Sequence, residues 1–329
     1  MPNARMQVAH GVRAVQVPDD NPMHPLFTNI YLVGDGQALT IDSGEAMDRY
    51  RWMLKGYLAA VEKSEIALAA ITHHHADHSG NLKWAREGFG AEIVAPKQAL
   101  PLLKGRLPKN GVNLLADGQV FDLAKGVHLR AIFTPGHSVD SVCYYLEEQG
   151  VLFTGDTLLG SSTTTVGDLG AYRRSLELLL ELPNLKVICP GHGALVNDPR
   201  ERLQQYVAHR DMRERQILDA LKGTGPATSW DIMLKLYPEI DKRLRRAADN
   251  NVRAHLRQLQ DEGRIAVQPG KPKRLNATKQ QRDVEHGRER ERVIKLARKY
   301  ESQRRRDEIR RQENPPSDEW SVAPKYELK

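Results

Sequence analysis

Residues 72–80 read T-H-H-H-A-D-H-S-G. His73, His75, Asp77 and His78 therefore fall within one turn-sized stretch, directly after the apolar run 66–71. Neutral imidazole and carboxylate are the ligand types that Zn²⁺, Mn²⁺ and Fe²⁺ accept at neutral pH. A strand that delivers the chain to a tight loop of this composition points donors in two directions, which suits two adjacent ions better than one. Two cations a few ångströms apart share a bridging water and lower its pKa from about 16 towards neutrality, giving hydroxide without any protein nucleophile. The chemistry in view is hydrolysis.

Three further segments each end an apolar run in a residue type that binds metal. Residues 129–133 lead to T-P-G-H and His137, 150–153 lead to T-G-D and Asp156, and 185–189 lead to P-G-H-G and His192. In each, glycine lets the backbone turn sharply after the strand. Polar loop residues at strand ends are where open α/β sheets place their chemistry.

The ordered set H-x-H-x-D-H, T-P-G-H, T-G-D and P-G-H-G resembles the metallo-β-lactamase-fold hydrolases, over residues 29–193. The resemblance implies an αββα sandwich with two divalent ions, zinc first, with manganese or iron also accepted. It puts His73, His75 and His137 on one metal, Asp77, His78 and His192 on the second, and Asp156 across both. Asp77 is the implied acid/base as well as a ligand. His74 stands at the variable position of the motif, outside the ligand set, and Asp42 in the upstream hairpin (28–33, 39–44) is implied to tie loops beneath the site. The β-lactamases of this fold commonly carry cysteine where Asp156 stands, so antibiotic hydrolysis does not follow. Ser79 and Ser138 read as loop braces, not nucleophiles.

The elements that must position these residues divide the chain in three. Residues 1–199 alternate strand-like and helical runs, as a layered α/β domain does, with a first strand at 11–15 and helical spacing at 46–63 and 172–182. Residues 200–270 give a long helix (200–222), a short helix capped by Thr228 or Ser229, a third helix (244–262) and a strand after Gly263, the order of a winged helix. Residues 271–329 form a basic charged tail, helical or disordered, whose closing stretch with Trp320 and Tyr326 reads as unstructured. Segments 167–176 and 206–218 resemble the beta-lactamase-like protein 2 group. Members of that group include single-stranded RNA endonucleases and thioesterases that release polyketides.

Charge is uneven. The last 59 residues, 271–329, hold 18 of the 49 basic and 11 of the 42 acidic residues, so the remainder balances at 31 of each and the whole excess of +7 lies in the tail. Runs such as 304–306 and 310–311 could contact nucleic-acid phosphates. Cys143 and Cys189 sit in apolar strands and give no disulfide framework, which suits a reducing, cytoplasmic setting. No apolar run approaches the length that spans a bilayer, and no signal peptide is evident at the start. Around the site, loop 161–165 reads as the rim of the cleft, Tyr172 as a substrate contact, and the start of the helix carrying it as a seat for phosphate or carboxylate. His209 and His255 read as packing or surface residues.

Three functions fit these observations: cleavage of single-stranded RNA, hydrolysis of a small-molecule or carrier-bound thioester, and non-catalytic RNA binding with structural metals. The first two share one metal site.

Overall fold

A computed structural model of the chain describes residues 6–18, 21, 26–61, 65–103, 105–123, 126–222, 225–272 and 320–328. They fall into two compact units, Met1–Asp211 and Met212–Lys329.

The first unit is built on two sheets. One has seven strands in chain order: β1 (Met6–Ala9), β2 (Val12–Pro18), β3 (Phe27–Val33), β4 (Gln37–Ile41), β5 (Glu65–Ala70), β6 (Glu92–Pro96) and β7 (Val112–Leu115). The strand expected first, at 11–15, is thus the second, since β1 pairs antiparallel with it. Pairing is antiparallel from β1 to β4 and parallel from β4 to β7. The other sheet runs β12-β11-β10-β9-β8, from β8 (Val120–Asp122), β9 (His128–Phe133), β10 (Val142–Leu146), β11 (Val151–Gly155) and β12 (Val187–Pro190).

Alternation along the strands assigns their faces. Val12, Ala14, Tyr31, Val33, Leu39 and Ile41 of the first sheet pack with Leu129, Ala131, Val142, Tyr144 and Phe153 of the second. The intervening Val15, Val17, Ile30 and Leu32 face the other way, against Tyr50 and Leu54 of α1 (Asp48–Val61) and Leu82 and Ala85 of α3 (Leu82–Phe89). Between these helices α2 (Ala76–Ser79) makes a single turn. Beyond the second sheet, α4 (Leu169–Leu180) buries Tyr172, Leu176 and Leu179. This is the αββα sandwich expected from the strand-end motifs.

Hydrogen bonds tie the two sheets together where their strands end. The Tyr144 hydroxyl donates to the Ile71 carbonyl (2.8 Å) and the Val142 amide to the Thr72 carbonyl (2.8 Å). From the other direction, Tyr31 Oη and Asn29 Nδ2 both donate to the Pro190 carbonyl, at 2.7 and 2.8 Å. The loops that follow these strands therefore have fixed starting points.

The long helix α5 (Pro199–Leu221) begins in the first unit and ends in the second. The second unit continues with β13 (Ala227–Thr228), α6 (Ser229–Leu236), α7 (Arg245–Asp261), β14 (Ile265–Gln268), β15 (Lys271–Pro272), β16 (Trp320–Val322) and β17 (Lys325–Leu328). Thr228 and Asp231 cap α6 reciprocally, side chain to backbone in both directions. Trp230, Met233, Val252, Leu256, Leu259 and Ile265 form the core with Tyr326.

The structure corrects the reading of the closing stretch as unstructured. β17 is the middle strand of the sheet β13-β17-β14, pairing Ala227 with Tyr326 on one side and Ile265 with Leu328 on the other. Local charge suggests solvation; the alternation of Tyr326 and Leu328 with polar neighbours is the overlooked strand signal. β15 and β16 pair antiparallel as a separate two-stranded sheet. The expected helical or disordered tail over 273–319 lies outside the described residues.

The winged helix therefore depends on residues far along the chain from its helices. Tyr326→Ala should destabilise the second unit by about 3 kcal/mol, the typical cost of emptying an aromatic site in a core. Replacing 273–319 by a short linker, with 320–329 kept, should leave that unit's stability unchanged. Urea unfolding followed by far-UV circular dichroism and tryptophan fluorescence checks both. An unshifted transition in Tyr326→Ala would refute the assignment.

Candidate metal centre

Every expected ligand lies just beyond a strand end. The chain leaves β5 at Ala70, passes Thr72 to His75, and enters α2, whose single turn carries Asp77 and His78. Ser79 Oγ lies 2.8 Å from the carbonyls of His74 and His75 and so braces the turn. His137 follows β9, Asp156 is the residue after β11, and His192 follows β12.

The side chains converge as two groups. His73, His75, His137 and Asp156 offer ligand atoms within 4.8 Å of one another, and so do Asp77, His78, Asp156 and His192. Asp156 belongs to both. In the first group, His75 Nδ1 is 2.8 Å from His73 Nε2 and 3.2 Å from His137 Nε2. In the second, Asp77 Oδ2 is 3.0 Å from His192 Nε2 and 3.2 Å from His78 Nε2. Asp156 places Oδ2 3.8 Å from His137 Nε2, and Oδ1 3.3 Å from His78 Nε2 and 3.5 Å from His192 Nε2.

The outer ring nitrogens are anchored. His137 Nδ1 lies 2.8 Å from the Thr165 carbonyl and His78 Nδ1 2.7 Å from Asp42 Oδ2; both partners only accept, so both nitrogens carry the proton. Thr72 Oγ1 donates to Asp42 and so accepts from His73 Nδ1 at 3.0 Å. His192 Nδ1 pairs with Thr28 Oγ1 at 3.1 Å. The inner nitrogens of His73 and His137 are therefore unprotonated lone pairs, and those of His78 and His192 crowd towards the carboxylates of Asp77 and Asp156. Asp156 Oδ1 is buried there without a hydrogen bond. A cation is the species that satisfies such an arrangement, so the donor set fits divalent metal ions.

Electrostatics agree for the first group, whereas in the second Asp77, Asp156 and Asp42 outweigh burial and hold His78 well above the usual histidine range. Burial, with neighbouring imidazoles, holds His73 well below the usual histidine range and His75 down to about 3. Burial lowers His137 too, so these three rings are neutral donors at physiological pH. Burial alone would raise Asp77 and Asp156, but the surrounding histidines outweigh it and hold both well below the carboxylate range.

Asp42 organises the floor of the site. It accepts from the Thr72 amide at 2.7 Å, from Thr72 Oγ1 and from His78 Nδ1. Gly191 leaves the room the centre needs, since a Cβ there would meet His78 Cε1 at 2.6 Å and Asp156 Oδ1 at 2.8 Å.

His74 turns away from both groups and pairs through Nδ1 with Asp140 Oδ1 at 2.7 Å. Two expectations around the site are corrected. Tyr172 is fully buried, with its hydroxyl donating to the Thr157 carbonyl at 2.6 Å, so it packs instead of touching substrate. The start of α4 is filled by its own cap, Asp168, whose carboxylate accepts from the Ala171 amide and repels an incoming anion. In the expected rim loop 161–165, Thr164 is buried and serves His137 instead. Both cysteines are buried, and burial pushes the Cys143 thiol up to about 11, so neither is a poised nucleophile. Spacing gives no sign of Asp140, Thr28 or Arg210, because each reaches the site through tertiary contact alone.

Among the described residues no helix is long and apolar enough to cross a membrane. Residues 24–192 match the metallo-beta-lactamase superfamily, and residues 228–271 match the beta-lactamase associated winged helix domain. The chain is 32% identical over 276 residues to the lactamase-like protein aptB of Emericella nidulans, covering 78% of this chain and 84% of that protein. It is 38% identical over 218 residues to an atrochrysone carboxyl ACP thioesterase of Aspergillus fumigatus, covering 64% of this chain and 65% of that protein. Among solved structures, a metallo-beta-lactamase family protein of Thermus thermophilus matches with a TM-score of 0.69 and 27% identity, over 80% of this chain and 97% of that one. Seven convergent donors on strand ends, the two-unit architecture and these matches together establish that the chain belongs to the metallo-beta-lactamase superfamily, as a metal-dependent hydrolase with an appended winged-helix domain.

Proposed function

We propose that the chain hydrolyses a thioester, with one metal held by His73, His75 and His137, a second held by Asp77, His78 and His192, and Asp156 serving both. The observation that carries the reading is the pair of donor groups with one shared carboxylate. Support for a thioester comes from the relative named as an acyl-carrier thioesterase. Zinc suits the histidine and carboxylate set, and manganese or iron are accepted by the same ligand types. When bound, such a pair of ions supplies an activated water and polarises the carbonyl.

The chain's own residues do the rest. Anchored outer nitrogens keep the imidazoles aimed, so no reorganisation is needed when substrate arrives. Asp77, ionised and 3.0 Å from His192 Nε2, is placed to take the proton of the attacking water and return it to the departing sulfur. A C–O bond forms, the C–S bond breaks, and the products are a carboxylic acid and a thiol.

Single-stranded RNA cleavage is the second reading, and the basic excess of 271–329 is what favours it. Purified, zinc-loaded protein assayed on an acyl-CoA or acyl-carrier thioester and on a fluorescent single-stranded RNA separates the two. Thioester turnover is expected, abolished in Asp156→Ala and insensitive to salt. RNA cleavage would instead weaken steeply with salt, by roughly 10³ or more in affinity between 50 and 200 mM if many phosphates are contacted. RNA cleavage without thioester turnover overturns the proposal.

Asp42 gives a test of the site that does not depend on substrate. Asn tolerates the positive φ of 66° found there, so Asp42→Asn should fold. It cannot accept from Thr72 and His78 as an anion does, and metal affinity should fall about 10- to 100-fold, as for other groups that orient metal ligands. Chelator competition with an indicator dye measures it; wild-type affinity in Asp42→Asn would contradict the role given to this carboxylate.

A further inference from the structure

Arg202, Tyr206 and Arg210 are spaced four apart on α5 and share one stripe of the helix. Each holds loop 159–165, the connection between Asp156 and α4. Arg202 Nη2 donates to the carbonyls of Leu159 and Ser162 at 3.2 and 2.9 Å. The Tyr206 hydroxyl accepts from the Leu159 amide at 2.9 Å and donates to the Ser162 carbonyl at 2.6 Å. Arg210 Nη2 donates to the Thr164 carbonyl at 2.9 Å.

Arg210 is the member of this stripe that reaches the metal centre through one intermediary. Thr164 Oγ1 and the Thr165 carbonyl lie 3.0 and 2.8 Å from His137 Nδ1. The guanidinium carbon also sits 5.2 Å over the ring of Tyr172. The Tyr172 hydroxyl holds the Thr157 carbonyl, one residue past Asp156. Its backbone closes on Gly136, where an added Cβ would lie 2.4 Å from Tyr172 Cα. One buried cation, 1% exposed, is thus linked to the arm that carries His137 and to the arm that carries Asp156.

Packing does not require an arginine there. A buried guanidinium is costly unless its donors are satisfied, and a leucine or methionine would fill the space without that cost. What arginine adds is a rigid planar fork that grips a carbonyl while its face lies on an aromatic ring. We infer that Arg210 is a positioning residue for His137, fixing through the Thr164–Thr165 segment the direction in which the His137 Nε2 lone pair points. This rests on the reading of His137 as a metal ligand.

Cobalt(II) titration of the apo full-length chain tests it, followed by visible absorption and by the paramagnetically shifted Nδ1–H proton of His137, assigned by its absence in His137→Gln. Wild type should bind two equivalents. Arg210→Met should bind one of them about 10- to 100-fold more weakly, with the His137 resonance displaced or lost, while the other equivalent keeps its affinity. Arg210→Lys keeps a donor for the Thr164 carbonyl and should recover part of the loss. Arg200→Met is the control, since Arg200 on the same helix donates to the carbonyls of Leu180 and Leu182, away from the metal groups. It should match wild type in both readouts.

Wild-type affinity and spectrum in Arg210→Met overturn the inference. So does equal weakening of both equivalents, or the same loss in Arg200→Met, because either marks general destabilisation. Should Arg210→Met fail to fold, Arg210→Lys decides: a weakened first group supports the role and an unchanged one refutes it. If wild type itself binds no cobalt, the ligand reading fails first, and the two failures are told apart.

Discussion

The carboxylate of Asp42 is the constraint on which the site depends. It stands immediately after β4 at φ 66°, a left-handed conformation that costs a residue with a side chain on the order of 1–3 kcal/mol unless its surroundings hold it. Those surroundings are the Thr72 amide, the Thr72 hydroxyl and the His78 ring, each bonded to one of its two oxygens. Hydrogen bonds to a charged group contribute about 1.5–3 kcal/mol apiece, so three of them offset the strain. Through Thr72 the same carboxylate reaches His73. One residue outside both donor groups thereby orients a histidine in each.

Seven donors crowded into two groups, each within 4.8 Å, would spread apart if their loops were free. They do not, because each loop begins on a strand whose other residues are locked in a dry core. The first sheet supplies His73, His75, Asp77 and His78, and the second supplies His137, Asp156 and His192. The distance between the two sets is fixed by the side chains between the sheets, Tyr31, Val142, Tyr144 and Phe153 among them. Tyr31 and Tyr144 do both jobs at once: their rings fill the core and their hydroxyls fasten the Pro190 and Ile71 carbonyls at the strand ends. A core substitution far from any ligand is thus felt in the ligand geometry, since close-packed interiors transmit small displacements.

Legibility in the sequence followed the range of the interactions involved. Strand-end motifs showed where His73, His137, Asp156 and His192 would be, because a strand, a glycine and a ligand are neighbours along the chain. Helix bounds on α6 and α7 were near at hand for the same reason, with Thr228 and Gly263 marking a start and a stop. Tyr172 misled: an aromatic residue at the start of the helix after Asp156 looks available, and only the tertiary fold shows Arg210 over its ring. His74 is the opposite case: the motif leaves it outside the ligand set, and only the fold shows that Asp140 is its partner. Nothing local distinguishes Arg210 from the other arginines of α5, and its burial is a property of the whole first unit.

The last strand of the winged helix makes the same point about charge. Composition divides the chain at about residue 270, where the basic excess begins, whereas pairing does not: β17 returns to lie between β13 and β14. A strand needs only two or three alternating apolar side chains to join a sheet, too few to alter the composition of a 59-residue stretch dominated by Lys, Arg and Glu. Tyr326 and Leu328 supply them, and among the described residues β17 is the strand that pairs with both β13 and β14. Residues 273–319 lie in the chain between β15 and β16, so a boundary drawn where the basic excess begins would cut the winged helix from one of its own strands.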